Sequence, residues 1–211
     1  LYHELGHALG IASLALDHSY AGPVNQISVW DSHLVDKYGN RLQPGTSVVS
    51  ESEADSVEGP KFVVGDLTNS GVHFYGKHVS EVLGKGNGLL INGYEGDIPE
   101  LSHIELEHSL MSHQLYRNYT TFMEAELAAL QDIGYNFDRK NYYGFSVYGD
   151  GQTMVNENGY FARNADGTAY LYGVPNTATL GVGLHVYGKN NTIVQAADLL
   201  ACGTAGTGIR V

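Results

Sequence analysis

His3, Glu4 and His7 in the opening stretch LYHELGHALG have the types and the spacing of a metal-dependent hydrolase. On a helix, residues four apart share a face, so both imidazoles can aim a ring nitrogen at one ion. Glu4 projects beside them, in reach of a water on that ion. Zinc lowers the pKa of such a water towards ~7, and a neighbouring carboxylate can then take its proton. Gly10 follows three residues after His7 and lets the chain leave the helix and turn sharply.

Two imidazoles do not complete a catalytic zinc site, which takes three protein ligands and one open position. The long form of this motif carries a third histidine at position 13, where this chain has Ser13, a poor neutral ligand. The third ligand must therefore come from elsewhere. His103, His108 and His113 stand in a later histidine-dense stretch, and His18, His33, His73 and His78 lie between. Glu51 or Glu53 in E-S-E-A-D could act as a glutamate ligand from a second helix, but that segment lacks the apolar periodicity of a buried helix.

The elements that must position these groups can be read coarsely. Leu1 to about Leu16 reads as a helix, with Leu5, Ala8, Leu9 and Ala12 at helical spacing. It has no visible cap, so the chain is expected to be N-terminally truncated within this helix. Residues 19–60 read as loop with short strands, turning at Tyr38-Gly39-Asn40 and Pro44-Gly45, and the acidic run Glu51–Glu58 reads as a solvated face. Lys61–Val64, Val72–Tyr75 and Leu89–Ile91 read as short strands. TTFMEAELAALQDIGY reads as a helix, with Thr120 or Thr121 as cap and Glu124 in its first turn. Phe122, Leu127, Leu130 and Ile133 form its apolar face, and Gly134 ends it.

Charge and glycine then mark a change of character. Residues 1–140 carry 19 acidic and 8 basic side chains, whereas 141–211 carry 4 and 3 together with 12 of the 27 glycines. A boundary near Asp138–Gly144 follows, giving two regions, 1–140 and 141–211. In the second, GVGLHV at 181–186 is echoed by GTGIRV at 206–211, and FSVYGDGQT at 145–153 by LHVYGKNNT at 184–192. Imperfect repeats of this length predict a stacked β-solenoid.

A net charge of −12 argues against nucleic acid and anionic membrane surfaces as partners. No stretch reaches the ~20 apolar residues of a membrane helix, so no transmembrane segment is expected. The single Cys202 excludes an internal disulfide and any cysteine-rich zinc site.

HELGHALG, followed much later by SHIELEHSLMSHQ and FMEAELAALQDIGYN, resembles the metzincin zinc peptidases over about residues 1–138. The resemblance implies the C-terminal part of a zincin-like α+β domain, with an active-site helix, β-hairpins, a methionine turn at Met111 and a closing helix. The chain departs from most of that family at Ser13. A leishmanolysin-like subgroup brings its third histidine from far along the chain, shortly before the methionine, and His103 is the position that resembles it, with His108 left open. His113 occupies the place where several metzincins have a tyrosine that contacts the metal or the oxyanion. Residues 158–211 resemble the start of a β-helical passenger of a bacterial autotransporter, which implies a secreted or cell-surface location.

The reading that follows is a zinc-dependent endopeptidase acting on a peptide or protein substrate. His3, His7 and His103 are its zinc ligands and Glu4 is its general base. The alternative is a surface adhesin whose zincin-like domain is structural or degenerate. Glu4 favours the enzyme, because a structural zinc site has no need of that acid.

Overall fold

The computed structural model describes residues 1–15, 23–96, 98–113, 119 and 121–211. These form a mixed α/β structure with few helices, many short strands and no closed barrel. The chain divides into two compact units, Leu1–Tyr135 and Asn136–Val211. No helix among the described residues is long and apolar enough to cross a membrane.

The first unit opens with helix α1 (Tyr2–Ala8), followed by α2 (Val29–Ser32) and strands β1 (Leu34–Val35), β2 (Ser47–Ser50), β3 (Lys61–Val64) and β4 (His73–Phe74). Helix α3 (Lys77–Leu83), strands β5 (Leu89–Leu90), β6 (Tyr94–Glu95) and β7 (Ile98–Pro99), and helix α4 (Glu124–Asp132) complete it. β1, β4 and β5 form an antiparallel sheet with β4 in the middle. β2 and β3 pair in parallel on either side of the exposed acidic turn at 51–58. Trp30, Leu34, Phe62, Phe74, Leu89 and Ile104 are fully buried and make the core on which these short elements rest.

Two helices differ from the sequence reading. The ligand helix stops at Ala8 rather than near Leu16, because Gly10 takes φ 101° and turns the chain away. Ser13 N then donates to Ser102 Oγ at 2.9 Å and Leu14 N to Asp31 Oδ2 at 2.9 Å, so the segment after the turn is held by side chains instead of helix bonds. Helix α4 begins at Glu124 with Met123 in the capping position; Thr120 lies outside the described residues, as does His18. The buried face of α4 is made by Ala125, Ala128, Ala129 and Leu130, so α4 approaches its neighbours closely. Its last residue, Asp132, accepts from His78 N and Val79 N at 2.9 Å each and so caps the start of α3.

In the second unit a short 3₁₀ turn (Arg139–Asn141) leads into strands β8 (Tyr143–Val147), β9 (Thr153–Asn156), β10 (Ala162–Arg163), β11 (Tyr170–Leu171), β12 (Val182–Val186), β13 (Thr192–Gln195) and β14 (Thr207–Arg210). β12 lies between β8 and β14 and pairs with both in parallel. Leu184 faces Phe145 on one side and Ile209 on the other, and Thr192 of β13 faces Thr153 of β9. Both sequence echoes thus fall at the strand registers, each repeat lying beside its counterpart. The stack is closely spaced: a Cβ on Gly144 would meet Gly183 O at 2.4 Å. Asn156 Nδ2 donates across the β9–β13 pair to Gln195 Oε1 at 2.7 Å.

Candidate metal centre

Three histidines from separate parts of the first unit meet in one place. His3 and His7 stand on α1, one turn apart, with ring centroids 4.6 Å apart. His103 lies 5.2 Å from His3 and 5.0 Å from His7 by the same measure. One ligand atom from each can be chosen so that all lie within 4.8 Å of one another, close enough to hold a metal ion.

Local bonds aim each ring. His3 Nδ1 lies 2.7 Å from Leu110 O, and His7 Nδ1 lies 2.7 Å from Ile11 O. A carbonyl only accepts, so each Nδ1 carries the proton and each Nε2 keeps its lone pair. The two Nε2 atoms face each other at 3.0 Å. Two lone pairs at that separation repel, and a cation between them removes the repulsion. Tetrahedral ligation at Zn–N of about 2.0–2.1 Å sets neighbouring nitrogens roughly 3.3 Å apart, so the site is already near that spacing. His103 Nδ1 lies 2.9 Å from Glu100 Oε2, an oxygen partner of the kind that raises a ligand's basicity.

The third ligand is carried by a segment fixed on two sides. Asn92 N donates to His103 O at 3.0 Å and Glu105 N to Leu90 O at 2.7 Å, extending β5 pairing past His103. On the other side Ile104 N donates to Met111 O at 2.9 Å. Ser102, next to His103, accepts from the backbone of Ser13. The residue at the motif's usual third-ligand position therefore docks the chain beside the histidine that takes its place.

Met111 is fully buried and supports α1 from below. A Cβ on Gly6, between the two helical histidines, would meet Met111 Sδ at 2.1 Å, so only glycine permits this approach. Met111 is in turn held by Glu126 of α4, whose Oε1 accepts from Met111 N at 2.7 Å while Oε2 accepts from Met123 N at 2.6 Å. Burial pushes the Glu126 carboxyl up to about 7, against the opposing pull of the Met123 and Met111 amides. One carboxylate thus ties α4 to the loop whose Leu110 carbonyl orients His3. The sequence reading missed Glu126. Its signal was a charged residue amid the alanines of an otherwise apolar helix, three residues after the cap.

Of the remaining candidates, Glu4 is exposed on α1, beside His3. His113 is buried, with its ring centroid 6.2 Å from that of His103. His108 is not among the three converging residues; its side chain is 43% exposed and its backbone takes φ 70°. His33 Nδ1 bonds Tyr75 O, His73 lies in β4, and His78 lies 3.3 Å from Glu81. Glu51 pairs with Lys37, and Glu53 accepts from Ser50 Oγ. None of these joins the triad.

Compared with known proteins, the chain matches no family model, and no curated protein or solved structure is significantly similar to it.

Proposed function

We propose that the first unit is a zinc-dependent peptide hydrolase, with His3, His7 and His103 as the metal ligands and Glu4 as general base. The observation that carries this reading is the convergence of three imidazoles, two of them with Nε2 lone pairs facing each other, on the helix that bears Glu4. Three neutral nitrogen donors with no thiolate suit zinc, and three protein ligands leave an open position for a reactant. When bound, such an ion polarises a carbonyl and acidifies a water.

The chain's own residues supply the rest. Glu4 takes the proton of the attacking water and then delivers it to the leaving amine. Leu110 O, Ile11 O and Glu100 hold the three rings in orientation, which keeps the ligand nitrogens directed inward. Met111 and Glu126 fix the loop beneath.

The resemblance to metzincins extends this reading to an endopeptidase of protein substrates. The parallel rungs of the second unit support a β-solenoid passenger and, with it, a secreted or bacterial cell-surface location.

The test is Glu4→Gln in the full chain, with zinc content and hydrolysis of an unfolded protein substrate both measured. Gln keeps the shape but cannot accept the proton, so zinc should stay bound while turnover falls about 10²–10⁴-fold. Substantial turnover in the variant, or zinc that survives replacement of all three histidines, overturns the proposal.

A further inference from the structure

Beyond His103 lies a second polar group that metal ligation does not use. The β6–β7 hairpin carries Glu95 and leads into Glu100, and both reach the side of His103 that faces His113. His113 is only 8% exposed; its Nε2 lies 3.3 Å from Glu95 Oε2, and its buried Nδ1 has no hydrogen-bond partner. Glu105, two residues past His103, has a buried Oε2 that also lacks a hydrogen-bond partner. Glu95 and His113 act electrostatically on Glu100, and His113 acts on Glu105, so the four side chains share one neighbourhood.

This neighbourhood is short of positive charge. Among the described residues, no lysine or arginine forms an ion pair with Glu95, Glu100 or Glu105; the ion pairs they make are with His113 and His103. A buried carboxylate oxygen and a buried imidazole nitrogen left without partners are costly, and a cation carrying hydrogen-bond donors would satisfy both. A second metal ion is the poorer fit. The group of donor atoms drawn together within 4.8 Å among the described residues is the histidine triad, not this one. A guanidinium or ammonium has several donors spread around a planar or tetrahedral head, and can bridge acceptors set further apart.

We propose that Glu95, Glu105 and His113 form a recognition site for a basic side chain, arginine or lysine, of the peptide presented to the triad. The proposal rests on the peptide-hydrolase reading and names its substrate class. With ring centroids of His103 and His113 6.2 Å apart, the stem of a long basic side chain spans from the metal centre to these acceptors. Glu95 is 55% exposed on its side chain and stands at the solvent end, whereas Glu105 and His113 form the buried end. Such a site selects by leaving its buried acceptors unpaired when the cation is absent.

The test uses the zinc-loaded Glu4→Gln full chain, which does not consume its ligand. Two fluorescent decapeptides of neutral residues are compared, one with a central arginine and one with citrulline, its uncharged isostere. The arginine peptide should bind about tenfold tighter or better, as one charge-assisted bidentate contact gives. Glu95→Gln and Glu105→Gln should each reduce that ratio, and together bring it near one. Glu95 is exposed enough that its variant folds, so a destabilised Glu105 variant does not remove the test. Equal binding, no measurable binding of either peptide, or a ratio that survives both substitutions overturns the proposal. The parent protein with Glu4 intact then separates the two readings. Preferred binding of the arginine peptide without hydrolysis sinks the peptidase and leaves the recognition site, whereas equal kcat/KM on both peptides does the reverse.

Discussion

Glu126→Gln should change how the stability of the first unit depends on pH, with a sign fixed by burial. The carboxyl lies above its ordinary 4.5, at about 7, chiefly because it is fully buried. Between those values the folded chain holds a proton that the unfolded chain releases. The favourable contribution is therefore complete below about 4.5 and is lost as pH rises through about 7. At ~1.4 kcal/mol per pH unit, the loss comes to about 3 kcal/mol. Glutamine exchanges no proton and lacks this slope. It also presents one oxygen and one NH₂ to two amide donors, so one of Met111 N and Met123 N faces another donor, at a cost of about 1–3 kcal/mol. The assay is urea unfolding of both proteins from pH 4.5 to 8 with a chelator present, followed by Trp30. That residue is the chain's single tryptophan and is buried in the first unit. Burial also raises Glu100 and Glu105, but their contributions cancel between the two proteins. The wild type should lose about 3 kcal/mol more than the variant across this range. Parallel stability curves would refute the assignment of a raised, proton-holding Glu126.

Further expectations concern the centre and the rungs. His103→Ala should lower zinc affinity at least about 100-fold in chelator competition, whereas His108→Ala should leave it near the wild-type value. Equal losses in the two would reject His103 as the ligand. Gly6→Ala places a methyl where Met111 Sδ sits, and should destabilise the first unit by about 1–3 kcal/mol while weakening zinc binding; thermal unfolding and zinc competition check both. In the second unit Leu184 is buried between Phe145 and Ile209 in the strand register. Its replacement by Ala should cost about 2–5 kcal/mol, read as faster amide hydrogen exchange in β8 and β12.

The ligand helix was legible from five residues, because H-E-x-x-H needs only the helical repeat to bring two imidazoles and a carboxylate to one side. The same local logic made Lys61–Val64 and α4 readable, and the echoes at 181–186 and 206–211 carry their strand register in their spacing. Where the helix ends was not local. The apolar pattern ran on past Gly10, and the turn there is confirmed by bonds from Ser13 to Ser102 and from Leu14 to Asp31, partners 89 and 17 residues away. The choice between His103 and His108 was likewise left open by spacing. It was decided by the pairing of Asn92 with His103 and of Ile104 with Met111, contacts that exist only once β5 and the methionine loop are in place. Glu126 shows the same limit. Its sequence position says helix, and only tertiary burial makes its carboxylate the acceptor for Met111 N and joins the closing helix to the loop that orients His3.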